Sequence, residues 1–298
     1  MMRATIQKYI SHPFQAAVVH TVFFLVALIP LDLASALGGW VARTFGPLTK
    51  VNKLAKDNLE RAFPEKSAED IQQILTGVWD NIGRTAFEIP HIPKINIYDQ
   101  PDRFEIVGEE YINLLRDDGI CGIFFSAHLA NWEFLPRSVA QATPPLPVDL
   151  IYRAPDNPWV GSIFEKRNPE GCGLIPKGIK GARMSMDHLK KGGHLALLVD
   201  QKMNDGIAVP FFGRDAMTAP AMAQFALRYK CPLVPVRIVR TKGANFKIIF
   251  TAPLDVTETD NRKDDILKIM TEVNQVIEGW VREHPDQWLW LHRRWPKD

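Results

Sequence analysis

The chain has 298 residues, with 36 basic and 34 acidic side chains and a formal net charge of +2. That length holds one large domain or two small ones around a full hydrophobic core, and a charge so near neutral argues against a general nucleic-acid binder. Cys121, Cys172 and Cys231 are odd in number and lack paired spacing, which argues against a disulfide framework or zinc knuckle and suggests a reducing compartment.

Residues 16–31 are almost wholly apolar, interrupted by His20 and Thr21. A membrane-crossing helix needs roughly 17 to 25 residues, a length that 14–37 reaches at the cost of Asp32 near one end. Two other readings compete. Arg3 and Lys8 before the run and Ala34-Ser35-Ala36 after it have the layout of a cleaved secretory signal, and the segment also suits a buried or interfacial helix. Arg43, Lys50, Lys53 and Lys56 outnumber the two basic residues ahead of the run. The positive-inside rule therefore favours an uncleaved anchor over 1–40, with the downstream chain in the cytoplasm.

The pattern predicts helices over 50–62 and 67–89, separated by Pro64. In the second, Ile71, Ile74, Leu75, Val78, Ile82 and Ala86 recur at helical spacing, and Ser67 with Asp70 forms a capping box. Residues 41–103 are thus a helical segment that packs on the remainder, and Pro90, Pro93 and Pro101 lead out of it. From residue 104 the pattern alternates. Strands are expected at 104–107, 122–125, 148–152, 195–199, 209–212, 233–239 and 246–250, and helices at 109–116, 131–140, 158–167, 179–190, 219–230 and 264–283. This predicts an α/β domain over 104–298, its central sheet mainly parallel or mixed and flanked by helices.

The strand at 122–125 runs straight into His128, ahead of a helix for which Asn131 is the candidate N-cap. The carboxyl end of a strand is where open α/β sheets place ligands. On one continuous helix His128 and Glu133 would stand roughly 140° apart and could not pair. With a break near Leu129, Glu133 can fold back, accept the Nδ1 proton and leave Nε2 as a base. A loop histidine satisfied by local hydrogen bonds is the competing reading. Arg153 and Asp200-Gln201 close two other expected strands, so three strand ends can converge on one sheet edge. Lys177, Lys180 and Arg183 add positive charge at a helix start, a pattern that equally suits a solvated face. The sequence has no phosphate-cradling glycine loop, metal-ligand spacing or nucleophile elbow, so neither metal nor cofactor is expected.

Taken in order, these blocks resemble the bacterial lipid A biosynthesis acyltransferases, the late lauroyl and myristoyl transferases, across nearly the whole chain. The stretch from Phe125 through His128 to Glu133 is similar to that family's His-x-x-x-x-Glu block, and Ile151-Tyr152-Arg153 through Asn157-Pro158 to its second. Asp200-Gln201, with Val209 through Gly213 and on to Thr218-Ala219-Pro220, resembles the third; Val234-Pro235-Val236-Arg237 resembles the fourth. Asn58 through Pro64 and Gln287 through Trp295 resemble its flanking signatures, whereas Ala154-Pro155-Asp156 departs from many members. The resemblance implies a glycerolipid-acyltransferase-like fold, His128 and Glu133 as the catalytic pair, and Asn131, Arg153, Arg183, Asp200, Gln201, Gly213, Thr218 and Arg237 as substrate-binding residues. It further implies an acyl carrier protein thioester as donor and a Kdo-bearing tetraacylated lipid A precursor as acceptor. A single inner-membrane anchor would leave the α/β domain on the cytoplasmic face. Acylation of a lysophospholipid or a glycolipid mannose is the alternative, followed by a membrane-anchored lipid-binding protein without activity.

Overall fold

The computed structural model describes residues 11–296; Arg3 and Lys8, on which the signal and charge readings drew, lie outside the described residues. Pro30, which has no N–H to donate, divides the long apolar stretch. Helix α1 (His12–Val26) ends before it and α2 (Leu31–Phe45) starts after it, each 15 residues long. Each helix covers about 22 Å, against the roughly 30 Å of a bilayer core. Among the described residues no helix is long and apolar enough to cross a membrane. The expected single-pass anchor, and the single-pass inner-membrane placement built on it, are therefore corrected.

The face that α2 buries explains the misreading. Ala34, Ser35, Gly38 and Gly39 form a stripe of small residues against α4 (Ala68–Glu88). A Cβ added at Gly38 would lie 2.3 Å from the Gly83 carbonyl oxygen. Hydropathy counts such residues as lipid-compatible; their size instead admits a neighbouring helix. The capping box of α4 forms as expected, with the Asp70 amide donating to Ser67 Oγ at 3.1 Å and the Ser67 amide donating to Asp70 Oδ2 at 3.2 Å. Helix α3 (Lys50–Ala62) packs beside it.

The sheet contains β1 (Phe104–Val107), β2 (Gly122–Ser126), β3 (Asp149–Tyr152), β4 (Leu174–Pro176), β5 (His194–Leu198), β8 (Leu233–Lys242) and β9 (Asn245–Phe250). Their order is β1-β9-β8-β2-β5-β3-β4. The β8–β9 pair is antiparallel and the others are parallel, so the sheet is mixed. Helix α5 (Glu110–Asp117) connects β1 to β2, and the short α7 (Gly161–Lys166) lies between β3 and β4. A separate hairpin joins β6 (Ile207–Phe211) to β7 (Arg214–Thr218). Strands β4 and β7 were not expected from sequence: β4 spans three residues, and β7 opens on the exposed pair Arg214 and Asp215.

All five residues of β2 are buried, as a strand covered on both faces requires. Side chains alternate across it, so Phe124 and Phe125 join opposite cores. Beneath the Phe125 face lie α9 (Ala221–Tyr229), α10 (Arg262–Glu283) and the tryptophans Trp288, Trp290 and Trp295. Over the Phe124 face lies α6 (Leu135–Ala140), with Phe134, Val148 and Phe246 in the same core.

Candidate active site

Strand register puts a histidine beside a carboxylate. In the parallel pair β2–β5, Ser126 aligns with Leu198, and the Val199 amide continues the ladder to the Ser126 carbonyl at 3.0 Å. Each chain then runs two residues further, to His128 and to Asp200. His128 Nδ1 lies 2.7 Å from Asp200 Oδ1, and the His128 amide donates to Oδ2 at 2.9 Å. Trp288 Nε1 also donates to Oδ2, at 2.7 Å. The tryptophan is brought there by a bridge between Leu129 and Trp288 and by the Leu289 amide, which donates to the His128 carbonyl at 3.0 Å.

Burial would raise the Asp200 carboxyl. The neighbouring His128 ring, the donors on that ring and on the His128 amide, and His292 outweigh burial and hold Asp200 well below the usual carboxylate range. An ionised Asp200 accepts from Nδ1–H, which fixes that tautomer and leaves the Nε2 lone pair free to accept a proton. Gln201 Nε2 is 3.4 Å from His128 Nε2, and the Trp132 ring stands edge-on to the imidazole with centroids 4.9 Å apart.

Glu133 is not the partner of Nδ1, and that expectation is corrected. Asp200 already occupies the position from the neighbouring strand. Glu133 instead pairs with Arg167 and accepts from Trp132 Nε1 at 2.9 Å. Asn131 does act as a cap, its Oδ1 accepting from the Glu133 amide at 3.2 Å. It caps a short 3-10 turn (Trp132–Phe134) that precedes α6, so the continuous helix expected over 131–140 is divided. Ala130 makes the turn possible with φ +44°, a left-handed conformation that costs an L-residue roughly 1–2 kcal/mol. Its carbonyl accepts from Asn81 Nδ2 at 3.2 Å and Thr85 Oγ1 at 2.9 Å, and its amide donates to the Gln287 carbonyl at 2.9 Å.

A cavity of about 550 Å³ opens beside this turn. Beyond the strand ends its wall carries His128, Glu133, Arg153, Arg167, Lys177 and Gln201. Deeper, the row Phe124, Ala196 and Leu150 crosses the sheet in register, with Leu135 and Val139 of α6 over it and Val236 and Phe250 closing it. The cavity is thus charged at the rim and apolar with depth. Burial lowers the Lys177 amine, whose Nζ lies 3.4 Å from Gln201 Oε1. Arg153 is exposed and donates to Asp156 Oδ1 at 3.0 Å.

The three expected strand ends do converge, since His128, Asp200 and Arg153 follow the adjacent strands β2, β5 and β3. Gln201 lines the same rim, and the remaining residues marked for substrate lie elsewhere. Asn131 is fully buried and its Nδ2 donates to Glu88 Oε2 at 2.8 Å, away from the cavity. Arg183 is exposed on α8 (Ile179–Lys190) and does not line the cavity. Gly213 makes the β6–β7 turn with φ +68°; Thr218 is buried and accepts from Arg294 Nη2 at 2.9 Å; Arg237 pairs with Glu283 at 2.5 Å. Sequence alone assigns no role to Arg167 or Trp288. Arg167 ends an expected helix like any exposed arginine, and the only signal for Trp288 is its place in the tryptophan-rich C-terminal block. Among the described residues no group of three or more histidine, cysteine, aspartate or glutamate side chains could hold a metal ion.

A histidine backed by a buried carboxylate, at the rim of a cavity that turns apolar with depth, can move a proton on a substrate with a long hydrocarbon part. Residues 4–297 match the description of bacterial lipid A biosynthesis acyltransferases, and the chain belongs to that family. It is similar to a lipid A biosynthesis acyltransferase of Haemophilus influenzae, 22% identical over 275 residues, covering 91% of this chain and 84% of that one. Two Escherichia coli relatives are a lipid A biosynthesis lauroyltransferase, 25% identical, and a lipid A biosynthesis palmitoleoyltransferase, 23% identical; each alignment covers 92% of this chain and 88% of the relative. A 1-acyl-sn-glycerophosphate acyltransferase structure from Thermotoga maritima overlaps 85% of this chain and 96% of that one, at 13% identity and a TM-score of 0.40, too distant to carry any argument. Family membership makes the chain an acyltransferase of lipid A biosynthesis.

Proposed function

We propose that the chain transfers a fatty acyl group from an acyl carrier protein thioester to a hydroxyl of a Kdo-bearing lipid A precursor, as a late acyltransferase, with His128 as general base and Asp200 holding it. The observation that carries this reading is the His128–Asp200 pair at the rim of the apolar cavity. A secondary hydroxyl is a weak nucleophile until a base removes its proton as it attacks. His128 Nε2 takes that proton, the alcohol oxygen adds to the thioester carbonyl, and the carbon–sulfur bond breaks as the ester forms. The proton then passes from the imidazolium to the leaving thiolate. Asp200 keeps the ring in one tautomer and offsets its positive charge while the proton is held. The donor chain lies in the deep apolar part, and the acceptor sits at the rim.

Charge and exposed surface supply the remaining support. Arg153, Arg167 and Lys177 at the rim suit the phosphates and sugar acids of the acceptor. Lys180 and Arg183, exposed nearby on α8, suit an acidic carrier protein, a contact that weakens as salt rises. Phe14, Phe24 and Leu25 on α1 and Leu33 and Trp40 on α2 are exposed. Helix α1 also touches the segment that follows the rim residue Asp156, where Asn157 Nδ2 donates to the His12 carbonyl at 2.8 Å and His20 Nε2 meets the Trp159 carbonyl at 3.0 Å. These apolar side chains rest on a lipid surface without crossing it, so an acceptor in the leaflet reaches the rim directly.

The test is mass spectrometry of lipids after incubating purified protein with acyl carrier protein thioesters of several lengths and the tetraacylated precursor. A product heavier by one acyl chain, absent with His128→Ala, supports the reading. With folded protein and no product, the same donors offered a lysophospholipid or a mannose-bearing glycolipid identify a different acceptor, and the lipid A assignment fails.

A further inference from the structure

We propose that Thr85 and Asn81 of α4 are positioning residues for the reaction, so that a helix outside the sheet sets the geometry of the catalytic turn. The proposal rests on the reading of His128 as the base. The turn from His128 to Glu133 carries His128, Trp132 and Glu133 to the cavity wall, and its shape hinges on Ala130, the residue with positive φ. An unsupported alanine relaxes toward negative φ. Such a rotation re-aims the peptides on either side of it, moving His128 relative to Glu133.

Two donors oppose that relaxation. Thr85 Oγ1 donates to the Ala130 carbonyl at 2.9 Å and Asn81 Nδ2 donates to the same oxygen at 3.2 Å. Both residues are buried, so no water can replace them cheaply. Each is itself held. Thr85 Oγ1 accepts from Arg240 Nη2 at 3.3 Å, Asn81 Oδ1 accepts from Arg240 Nε at 3.0 Å, and Asn81 Nδ2 is also 3.1 Å from the Gln287 carbonyl. That Gln287 carbonyl in turn accepts from the Ala130 amide. The peptide groups on both sides of Ala130 are thus pinned to one cluster built from α4, β8 and the C-terminal segment. Further along the turn, Asn131 caps the Glu133 amide with one side-chain atom and donates to Glu88 of α4 with the other. Neither Thr85 nor Asn81 touches the cavity, so both act only through the turn.

Thr85→Val keeps the shape and removes the donor; Thr85→Ser restores it; Asn81→Ala removes the second donor independently. In the acyl-transfer assay Thr85→Val is expected to lower kcat about 10- to 100-fold, the size of effect a small misplacement of a reacting group produces. KM for both substrates should stay within about twofold, since no contact to substrate is lost, and Thr85→Ser should recover most of kcat. A purely structural role would lower the unfolding midpoint and leave kcat of the folded fraction intact. A second readout needs no substrate: the downfield proton NMR signal of His128 Nδ1–H, assigned by its loss in His128→Gln, should shift or broaden in Thr85→Val and return in Thr85→Ser. Wild-type kcat and an unmoved Nδ1 signal in both Thr85→Val and Asn81→Ala overturn the proposal. If the wild-type protein transfers nothing, the function reading fails, and the NMR signal alone still decides the positioning role. Should Thr85→Val not fold, Asn81→Ala carries both measurements.

Discussion

Two buried carboxylates flank the turn from His128 to Glu133, and they are partnered in opposite ways. Glu88 has no exposed surface and receives both ends of the Arg240 guanidinium, at 2.5 and 3.0 Å, together with Ser35 Oγ at 2.6 Å and Asn131 Nδ2. Asp200 is equally buried, but its donors are an amide, an indole and an imidazole. The cation beside Glu88 is permanent, whereas the one beside Asp200 exists only while His128 holds a proton. A carboxylate tied to arginine braces structure; one tied to a ring that gains and loses a proton can assist catalysis.

Substitution at each acid sharpens that contrast. Asp200→Asn should lower kcat by roughly 10³- to 10⁴-fold, since an amide favours the wrong tautomer of the ring, with circular dichroism showing a retained fold. Glu133→Gln should cost clearly less, because Glu133 contacts Arg167 and Trp132 and not Nδ1; an equal loss would move the ring-holding role from Asp200 back to Glu133. Glu88→Gln should act on stability, costing about 3–5 kcal/mol in urea unfolding by leaving Arg240 buried without its counter-charge. A stable Glu88→Gln protein with lost turnover would break the comparison.

A smaller effect is expected from pH. Burial lowers the pKa of both His194 and His292 from 6.5. Their depressed values mean the unfolded chain binds more protons below pH 6.5, so this part of the stability is present above that pH and lost as pH falls through the folded values. The urea midpoint should therefore drop between pH 7.5 and 5.5, and a His194→Gln, His292→Gln double variant should flatten the slope. The smallest change should follow Arg153→Ala, which removes an exposed rim charge: a several-fold rise in acceptor KM at low salt that fades as salt increases, with kcat unchanged.

The sequence made the sheet legible because its strands carry strong apolar patterns, and His128 stood out by ending one of them. The convergence of His128, Arg153 and Asp200 was legible for the same reason. Which acid would hold the ring was not, because that depends on β5 lying directly beside β2, and strand order is absent from local spacing. The five-residue separation drew attention to Glu133, whereas the partner sits 72 residues further along the chain. At the other end, the apolar character of residues 14–37 was visible, but its break at Pro30 and the small-residue face turned toward α4 hid its actual packing. Ala130 carried no signal, since alanine rarely takes positive φ and only its carbonyl's partners reveal why it does so in this turn.

The alignment of Ser126 with Leu198 also constrains how this chain can tolerate changes in length. His128 and Asp200 hang at equal distances past that aligned pair, so a single residue inserted anywhere in 122–128 or in 194–200 turns one side chain to the opposite face and parts them. The exposed tip 143–145 of the connection between α6 and β3 obeys no such count. A library of one-residue insertions should therefore show two short intolerant windows, far apart in the chain and side by side in space, separated by a segment that accepts extra residues freely.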